Sequence, residues 1–584
     1  MSRLISTLMI VFLLLSLAAA PVFASEASEV SEELDGMLSS IIESGRVKGA
    51  VLSVVQDGQI QHCEGYGFAD EYHNITASGD KTAFRIGSVS KTLVAAAVQI
   101  LAQEGRLDMD CDIADYLKTD LPLKYPVTMR QLLTHTAGFE ETITGMAVFN
   151  VSDTEPLSES IAKYRPAQIH EPGTVISYSN YSIALAAYVA ETIAGQDFAQ
   201  YCRERIFVPL GMMRTTFEHM HDTAYVSKPY LPDGTETLEP YMNLYPEGSA
   251  VSTAEDMAKY IKWLLDREDT RVLTQKSKDE LFFRHFSMAE ELPGIGLIWN
   301  RKTRNGKLYY GKKGETLHFY TRIALYPQQN TGIFLSFNTY LPEHEINEIM
   351  EKATEVLYGK AGISNPDPAD ASMDISGTYT NNWSSFKTPE KILRYMVPGK
   401  MISITKSLDD SFLLDGARIS LIGEDLYSTP VGTLKFRKQD NRVIAAGSSV
   451  TYTKVPFWEH SSIQIIVPLL FIVFTVANLA RELILRFRKK RGGYSAFYLT
   501  GSLVQFICVL ALIFLMLEGI AAYKLLAFEI PLKICGWLIT SACAAQVIHT
   551  LSIWRRRSAV RFLPACWSIA GILFSSWMVW LNIL

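Results

Sequence analysis

This chain of 584 residues has few cysteines, little charge and no metal-ligand motif. Its seven cysteines divide unevenly: Cys63, Cys111 and Cys202 precede an apolar tail, and Cys508, Cys535, Cys543 and Cys566 lie in it. An odd number ahead of the tail, with no Cys-x-x-Cys, excludes a disulfide framework and a zinc ribbon and leaves free thiols. No His-Glu-x-x-His and no cluster of His, Cys and Asp occurs, so no metal and no cofactor is expected. There is no long internal repeat and no low-complexity tract. Charged residues make up only 20% and hydrophobic residues 48%, which excludes a disordered chain. A basic body is missing too. Up to Val455 there are 43 Lys/Arg against 57 Asp/Glu, whereas from Pro456 to the end there are 12 against 4. A large acidic body excludes nucleic acid as partner, and a short, basic, very apolar tail points to a lipid bilayer.

The N-terminus reads as a secretory signal at residues 1–24. Arg3 gives the positive start, Leu8 to Ala20 the apolar stretch, and Val22-Phe23-Ala24 the small-residue cleavage pattern. The tail, residues 456–584, carries four stretches long enough to span: Ile463 to Ala480, Phe497 to Leu517, Ile534 to Ile553 and Phe562 to Leu581. The first link contains Arg481, Arg486, Arg488, Lys489, Lys490 and Arg491, and the third Arg555, Arg556, Arg557 and Arg561. The middle link has only Lys524 and Lys533. Ten basic residues against two place the first and third links in the cytoplasm and the preceding body outside. The spans hold essentially no carboxylate or lysine away from their ends, so an anchor or small accessory bundle is favoured over a transporter. Gln464, Asn478 and Gln505 read as helix–helix hydrogen bonds.

Residues 25–362 mix helices and strands. Val51 to Gln56 ends at Asp57-Gly58, a hairpin signal, and Gln59 to Gly65 follows as a second strand. Thr92 to Glu104 is apolar almost all round, the mark of a buried helix. Tyr181 to Ile193, closed by Gly195, and Thr253 to Leu265, with an acidic start, are further helices. Thr321 to Tyr326 and Gly332 to Phe337 are adjacent strands, so an antiparallel sheet is assembled from both chain ends. Pro366-Asp367-Pro368 marks a linker at 363–371. Residues 372–455 alternate short β-runs with turns and form a small β domain.

Ser88-Val89-Ser90-Lys91 opens the first buried helix. Residues three apart share a helix face, so Ser88 and Lys91 sit side by side. A serine needs a base to become a nucleophile at neutral pH, and a desolvated lysine is one. Alone, S-x-x-K is weak, and a capping serine with an exposed lysine explains it as well. Context raises it: Tyr178-Ser179-Asn180 opens another helix, and Lys312-Lys313-Gly314 precedes a strand-like run.

These stretches, together with Arg85-Ile86-Gly87, Leu132-Leu133-Thr134-His135-Thr136-Ala137-Gly138, Pro209-Leu210-Gly211-Met212 and Ser252-Thr253-Ala254-Glu255-Asp256, resemble the serine β-lactamase and penicillin-binding-protein superfamily. The likeness is to its class C β-lactamase-related branch, with esterases and D-amino-acid peptidases, and covers Glu33 to Gly359. It implies an α/β (α+β) β-lactamase-like sandwich: a five-stranded antiparallel sheet with helices behind and an all-helical subdomain in front. The small β domain and the four-helix transmembrane tail follow. The resemblance makes Ser88 the acylated nucleophile, Lys91 its deprotonating partner, and Tyr178 the base and proton donor. Asn180 then orients Lys91 and a substrate amide, and the N–H groups of Ser88 and Glu315 form the oxyanion hole. His135 is given a structural role. The third motif departs from the branch. Lys312 keeps the positive charge that attracts a substrate carboxylate, and Gly314 permits close approach. Glu315, however, follows Gly314, and His318 replaces a later glycine. A carboxylate at Glu315 beside Lys312 is expected to disfavour anions such as β-lactams.

The leading expectation is a membrane-anchored extracytoplasmic serine hydrolase acting through an acyl-enzyme on an ester or amide. The esterase, D-aminopeptidase, carboxypeptidase and β-lactamase activities stay open. Its partners would be a small-molecule or peptide substrate, cell-wall-derived material among the candidates, and the bilayer. A penicillin-binding sensor and a non-catalytic scaffold of the same fold are the alternatives.

Overall fold

The run Ala50-Val51-Leu52-Ser53-Val54-Val55 is apolar at all but one position, the pattern of a strand covered on both faces. In the computed structural model, which describes residues 31–118, 121–218, 225–360, 372–439, 442–488, 495–554 and 562–583, it is an inner strand of a seven-stranded sheet. The signal-peptide reading, the linker, Lys489 to Arg491 and Arg555 to Arg561 fall outside the described residues.

The strand order is Ile75–Thr76, Gln59–Asp70, Gly49–Gln56, Thr331–Phe337, Tyr320–Tyr326, Lys307–Glu315 and Asn300–Arg304. All neighbours are antiparallel, and Gly49–Gln56 pairs directly with Thr331–Phe337, joining the two chain ends. Two edge strands, Ile75–Thr76 and Asn300–Arg304, bring the five-stranded expectation to seven. Strand alternation splits the core. Ala50, Leu52, Val54, Ile333 and Leu335 pack under helix 31–43 and Glu343–Tyr358. Val51, Val55 and Phe334 face the helical body, which includes Ser90–Gln103, Asn180–Ala194 and Ala254–Leu265. The predicted helices thus form within two residues of their expected ends.

Residues 377–454 form a nine-stranded antiparallel meander whose first strand, Gly377–Asn381, also pairs with its last, Thr451–Lys454. The sheet therefore curls round its own apolar core of Tyr379, Leu414, Tyr427, Leu434 and Phe436. It is bound to the helical body by polar contacts. The buried carboxylate of Glu390 accepts the Ile143 and Thr144 N–H groups at 2.7 and 2.9 Å, and Glu140 accepts those of Phe386 and Lys387.

The tail contains the helices Ser461–Phe487, Ser495–Ala521, Glu529–Trp554 and Phe562–Trp580. Among the described residues, three stretches are long and apolar enough to cross a membrane: Ser461–Phe487, Ala496–Ala521 and Glu529–His549. The apolar part described in the fourth helix is shorter, Ile569–Trp580. Asn478 donates to Ser502 at 2.7 Å and Gln505 to Gln546 at 3.2 Å, bonds between helices as expected. Gln464 differs: it donates to the Trp458 carbonyl just before its own helix, because its first-turn position faces that chain entry.

Candidate active site

Gly87 adopts φ +49° and turns the chain sharply before the helix that begins at Ser90. A Cβ there would stand 2.6 Å from the Glu315 nitrogen, and a Cβ on Gly314 would stand 1.9 Å from the Ile86 carbonyl. The two glycines let the edge of Lys307–Glu315 rest directly on the turn that carries Ser88. The backbone of Glu315 is thereby brought beside Ser88.

Ser88 is half-buried at the floor of a cavity of about 840 Å3. Lys91 Nζ donates to its Oγ at 2.7 Å, and the Tyr178 hydroxyl lies 2.9 Å from the same atom. Lys91 is fully buried. Its Nζ also donates to the carbonyl and to Oε2 of Glu247, each at 2.5 Å. Burial opposes the lysine charge, but the Glu247 carboxylate, with a contribution from Tyr178, outweighs it and holds the pKa above the ordinary lysine value. Burial raises the Tyr178 pKa, so this residue is a neutral phenol at pH 7. The second oxygen of Glu247, Oε1, is buried without a hydrogen-bond partner among the described residues.

Asn180 departs from its expected place. Its Nδ2 donates to Glu141 Oε1 at 2.7 Å and its N–H to Oε2 at 2.9 Å, and it makes no hydrogen bond to Lys91 among the described residues. Glu247 orients Lys91 instead. Asn180 lines the cavity, and its Oδ1 is buried and accepts no hydrogen bond among the described residues. Burial pushes the Glu141 carboxyl up to about 7, and burial lowers the nearby Lys400 to about 7.

The carboxylate of Glu315 is not beside Lys312. In a strand alternate residues face opposite sides, so Lys312 and Gly314 share one face and Lys313 and Glu315 the other. The Glu315 carboxylate pairs with Arg322 at 3.1 Å and approaches Lys313 at 3.9 Å. Lys312 lies 4.8 Å from the Tyr178 ring centroid, with no carboxylate within ion-pair distance among the described residues. Burial, with the Lys91 charge, holds its pKa well below the ordinary lysine value. An incoming anion would restore the charge.

His135 has a left-handed backbone, φ +56°, and its Nδ1 accepts the Ser179 N–H at 3.3 Å. Its ring lies 4.1 Å from that of Tyr178. Burial, helped by the Lys91 charge, keeps it neutral, and it makes no hydrogen bond to Ser88 among the described residues. It braces Tyr178.

Sequence reasoning missed Glu247, Glu141, Trp383, Lys400 and Tyr523. The curled sheet sends Trp383 edge-on to Tyr178, ring centroids 5.0 Å apart. Lys400 donates to the Trp383 carbonyl and lies 3.6 Å from its ring. Tyr523, from the tail, lines the same cavity as Ser88. None of these belongs to a local pattern, although Glu141 follows the motif ending at Gly138 by three residues and Glu247 precedes the Ser252-Thr253 helix start by five.

Residues 34–353, more than half of the chain, match the family described as Beta-lactamase. The chain belongs to the β-lactamase family. Among curated proteins it is similar to PbpX of Bacillus subtilis (strain 168), named with the penicillin-binding proteins, at 30% identity over 234 residues. That match covers 39% of this chain and 57% of PbpX. It is also similar to the protein Flp of Staphylococcus aureus (strain MW2), at 26% identity over 333 residues, 54% of this chain and 65% of Flp. The chain thus spans less than two thirds of either relative. Among solved structures, the octameric penicillin-binding protein homologue from Pyrococcus abyssi aligns with a TM-score of 0.50 at 20% identity, covering 72% of this chain and 99% of that one. SurE aligns with a TM-score of 0.53 at 19% identity, covering 74% and 99%. These two likenesses establish the β-lactamase-like fold.

Proposed function

We propose that the protein is a membrane-anchored, extracytoplasmic serine hydrolase that forms an acyl-enzyme on Ser88. One observation carries the reading: the Ser88 hydroxyl lies within hydrogen-bond reach of both Lys91 and Tyr178. The family match supports hydrolase chemistry.

In the resting site Lys91 is a cation held by Glu247. Transfer of one proton across their 2.5 Å contact leaves a neutral amine and a neutral carboxylic acid, with no change in net charge. The amine then takes the Ser88 proton as Oγ attacks the acyl carbon. The N–H groups of Ser88 and Glu315 receive the developing oxyanion. Tyr178 gives its proton to the leaving amine or alcohol and regains one from Lys91. In deacylation the same groups accept a proton from the attacking water and pass it to Ser88 Oγ as the acyl–oxygen bond breaks, and Glu247 returns its proton to Lys91. Asn180 Oδ1 accepts a substrate N–H and Lys312 attracts a substrate carboxylate. Substrates of this class are D-amino-acid peptides, small esters and β-lactams.

The charge count of the links supports a catalytic body outside the cytoplasm. A reporter active only outside the cytoplasm is expected to work when fused after Thr451 or Leu584 and to fail near Gly492. A cytoplasmic C-terminus refutes that topology. For the chemistry, a fluorophosphonate probe is expected to label Ser88. Ser88→Ala should abolish labelling and turnover, and labelling retained in that variant refutes the assignment.

A further inference from the structure

Tyr523, in the turn between the second and third tail helices, is part of the wall of the cavity that holds Ser88. Neighbouring tail helices run in opposite directions: Tyr498 meets His549 while Gln505 meets Gln546, and Asn478 meets Ser502. The start of the first helix at Ser461, the turn between the second and third, and the end of the last helix therefore share one end of the bundle.

Every tail contact described here with the catalytic body or the curled sheet is made at that end. The Gly145 N–H donates to the Tyr523 carbonyl at 2.8 Å, and the Phe149 and Tyr523 rings lie 6.3 Å apart. Lys391 lies 4.3 Å from the Trp580 ring and Tyr395 5.9 Å from it. Arg394 pairs with Glu459 at 3.3 Å. Phe457 and Trp458, both exposed, immediately precede the first helix, the position of interfacial aromatic anchors.

Two of these docking elements reach the cavity. Tyr523, held at φ +54°, is part of its wall. So is Val397, two residues beyond Tyr395 and beside the exposed Met396. The exposed Met396 and Val397 thus form a short apolar strip between Tyr395, at the Trp580 ring, and the cavity wall. The inner end is polar, with Ser88, Lys312 and Asn180.

We infer that the acyl donor is an amphiphile whose ester or amide head enters over Ser88 while its apolar tail stays in the bilayer along the Met396, Val397 and Tyr523 strip. This rests on the hydrolase reading above. It makes the tail part of the substrate path as well as an anchor.

The test uses the full chain in phosphatidylcholine vesicles and two D-alanine esters with the same acyl group, methyl and dodecyl. Rates are divided by those of alkaline hydrolysis. The dodecyl ester is expected to have a kcat/KM at least ~10-fold higher, the equivalent of burying about two methylenes. Its rate should follow its mole fraction in the lipid. Met396→Asp should bring the dodecyl-to-methyl ratio toward one, whereas Leu408→Asp, fully exposed and outside the cavity, should leave the ratio unchanged. Equal kcat/KM for the two esters, with Ser88 still labelled by fluorophosphonate, overturns this inference alone. A wild type that neither labels nor turns over either ester overturns the hydrolase reading and this inference with it.

Discussion

The side-chain nitrogen of Lys91 lies 2.5 Å from Oε2 of Glu247, and both residues are buried. Glu247→Gln keeps the shape but removes the proton acceptor. It is expected to lower kcat by ~10²–10⁴-fold, the range for a proton-transfer partner, with little change in KM. Steady-state kinetics and the rate of fluorophosphonate labelling measure this. Loss of one member of a buried pair should also cost about 3–5 kcal/mol of stability. Because the folded Lys91 pKa is raised, the stability it contributes is fully present below the unfolded lysine value. It is lost as pH rises through the folded one. The melting-temperature gap between wild type and Glu247→Gln should therefore be wide at neutral pH and narrow in strong alkali. An unchanged kcat refutes the relay.

Lys312 and Glu315 act on opposite faces of one strand. Lys312→Ala should raise KM for carboxylate-bearing substrates by ~10–100-fold, the worth of a charge-assisted hydrogen bond, with a smaller effect on uncharged esters. Glu315→Gln should leave the ratio between those substrate classes unchanged, because its carboxylate is engaged by Arg322. A shift of that ratio toward anions in Glu315→Gln would restore the sequence-based reading of this residue.

Glu390 fastens the curled sheet to the helical body. Glu390→Ala leaves the Ile143 and Thr144 N–H groups without their acceptor and should cost about 2–4 kcal/mol, read by thermal unfolding. Turnover should fall as well, because Trp383 packs against Tyr178 from that sheet. Full activity with an unchanged melting temperature would show that the sheet does not support the site.

Burial lowers the His170 pKa to about 4, helped by the charge of Arg442. A histidine with a depressed folded pKa contributes stability that is present above its unfolded value near 6.5 and is lost as pH falls through 4. Between pH 6.5 and 4 the wild type should lose about 2 kcal/mol more than His170→Phe. Parallel melting curves over that range would refute the assignment.

Much of this molecule is legible in one dimension. Patterns that depend only on nearby residues were enough for the strands at Gly49–Gln56 and Thr331–Phe337, the three helices of the body and the helical tail. Ser88, in the 3-10 turn Gly87–Val89, and Lys91, in the first turn of the helix that follows, are three residues apart, a spacing visible in the sequence that brings them together. Tyr178 meets them across 90 residues, and there the motif order supplied what spacing does not. Tertiary structure decided the rest. Glu247, Glu141, Trp383, Lys400 and Tyr523 are ordinary residues in their own neighbourhoods and gain their roles only because distant segments converge on one cavity. The face taken by Glu315 was open until the register with Tyr320–Tyr326 was known, since a one-residue shift in a strand exchanges its two faces. A sequence records which groups are available; which buried charge finds a partner depends on contacts between segments that share no local period.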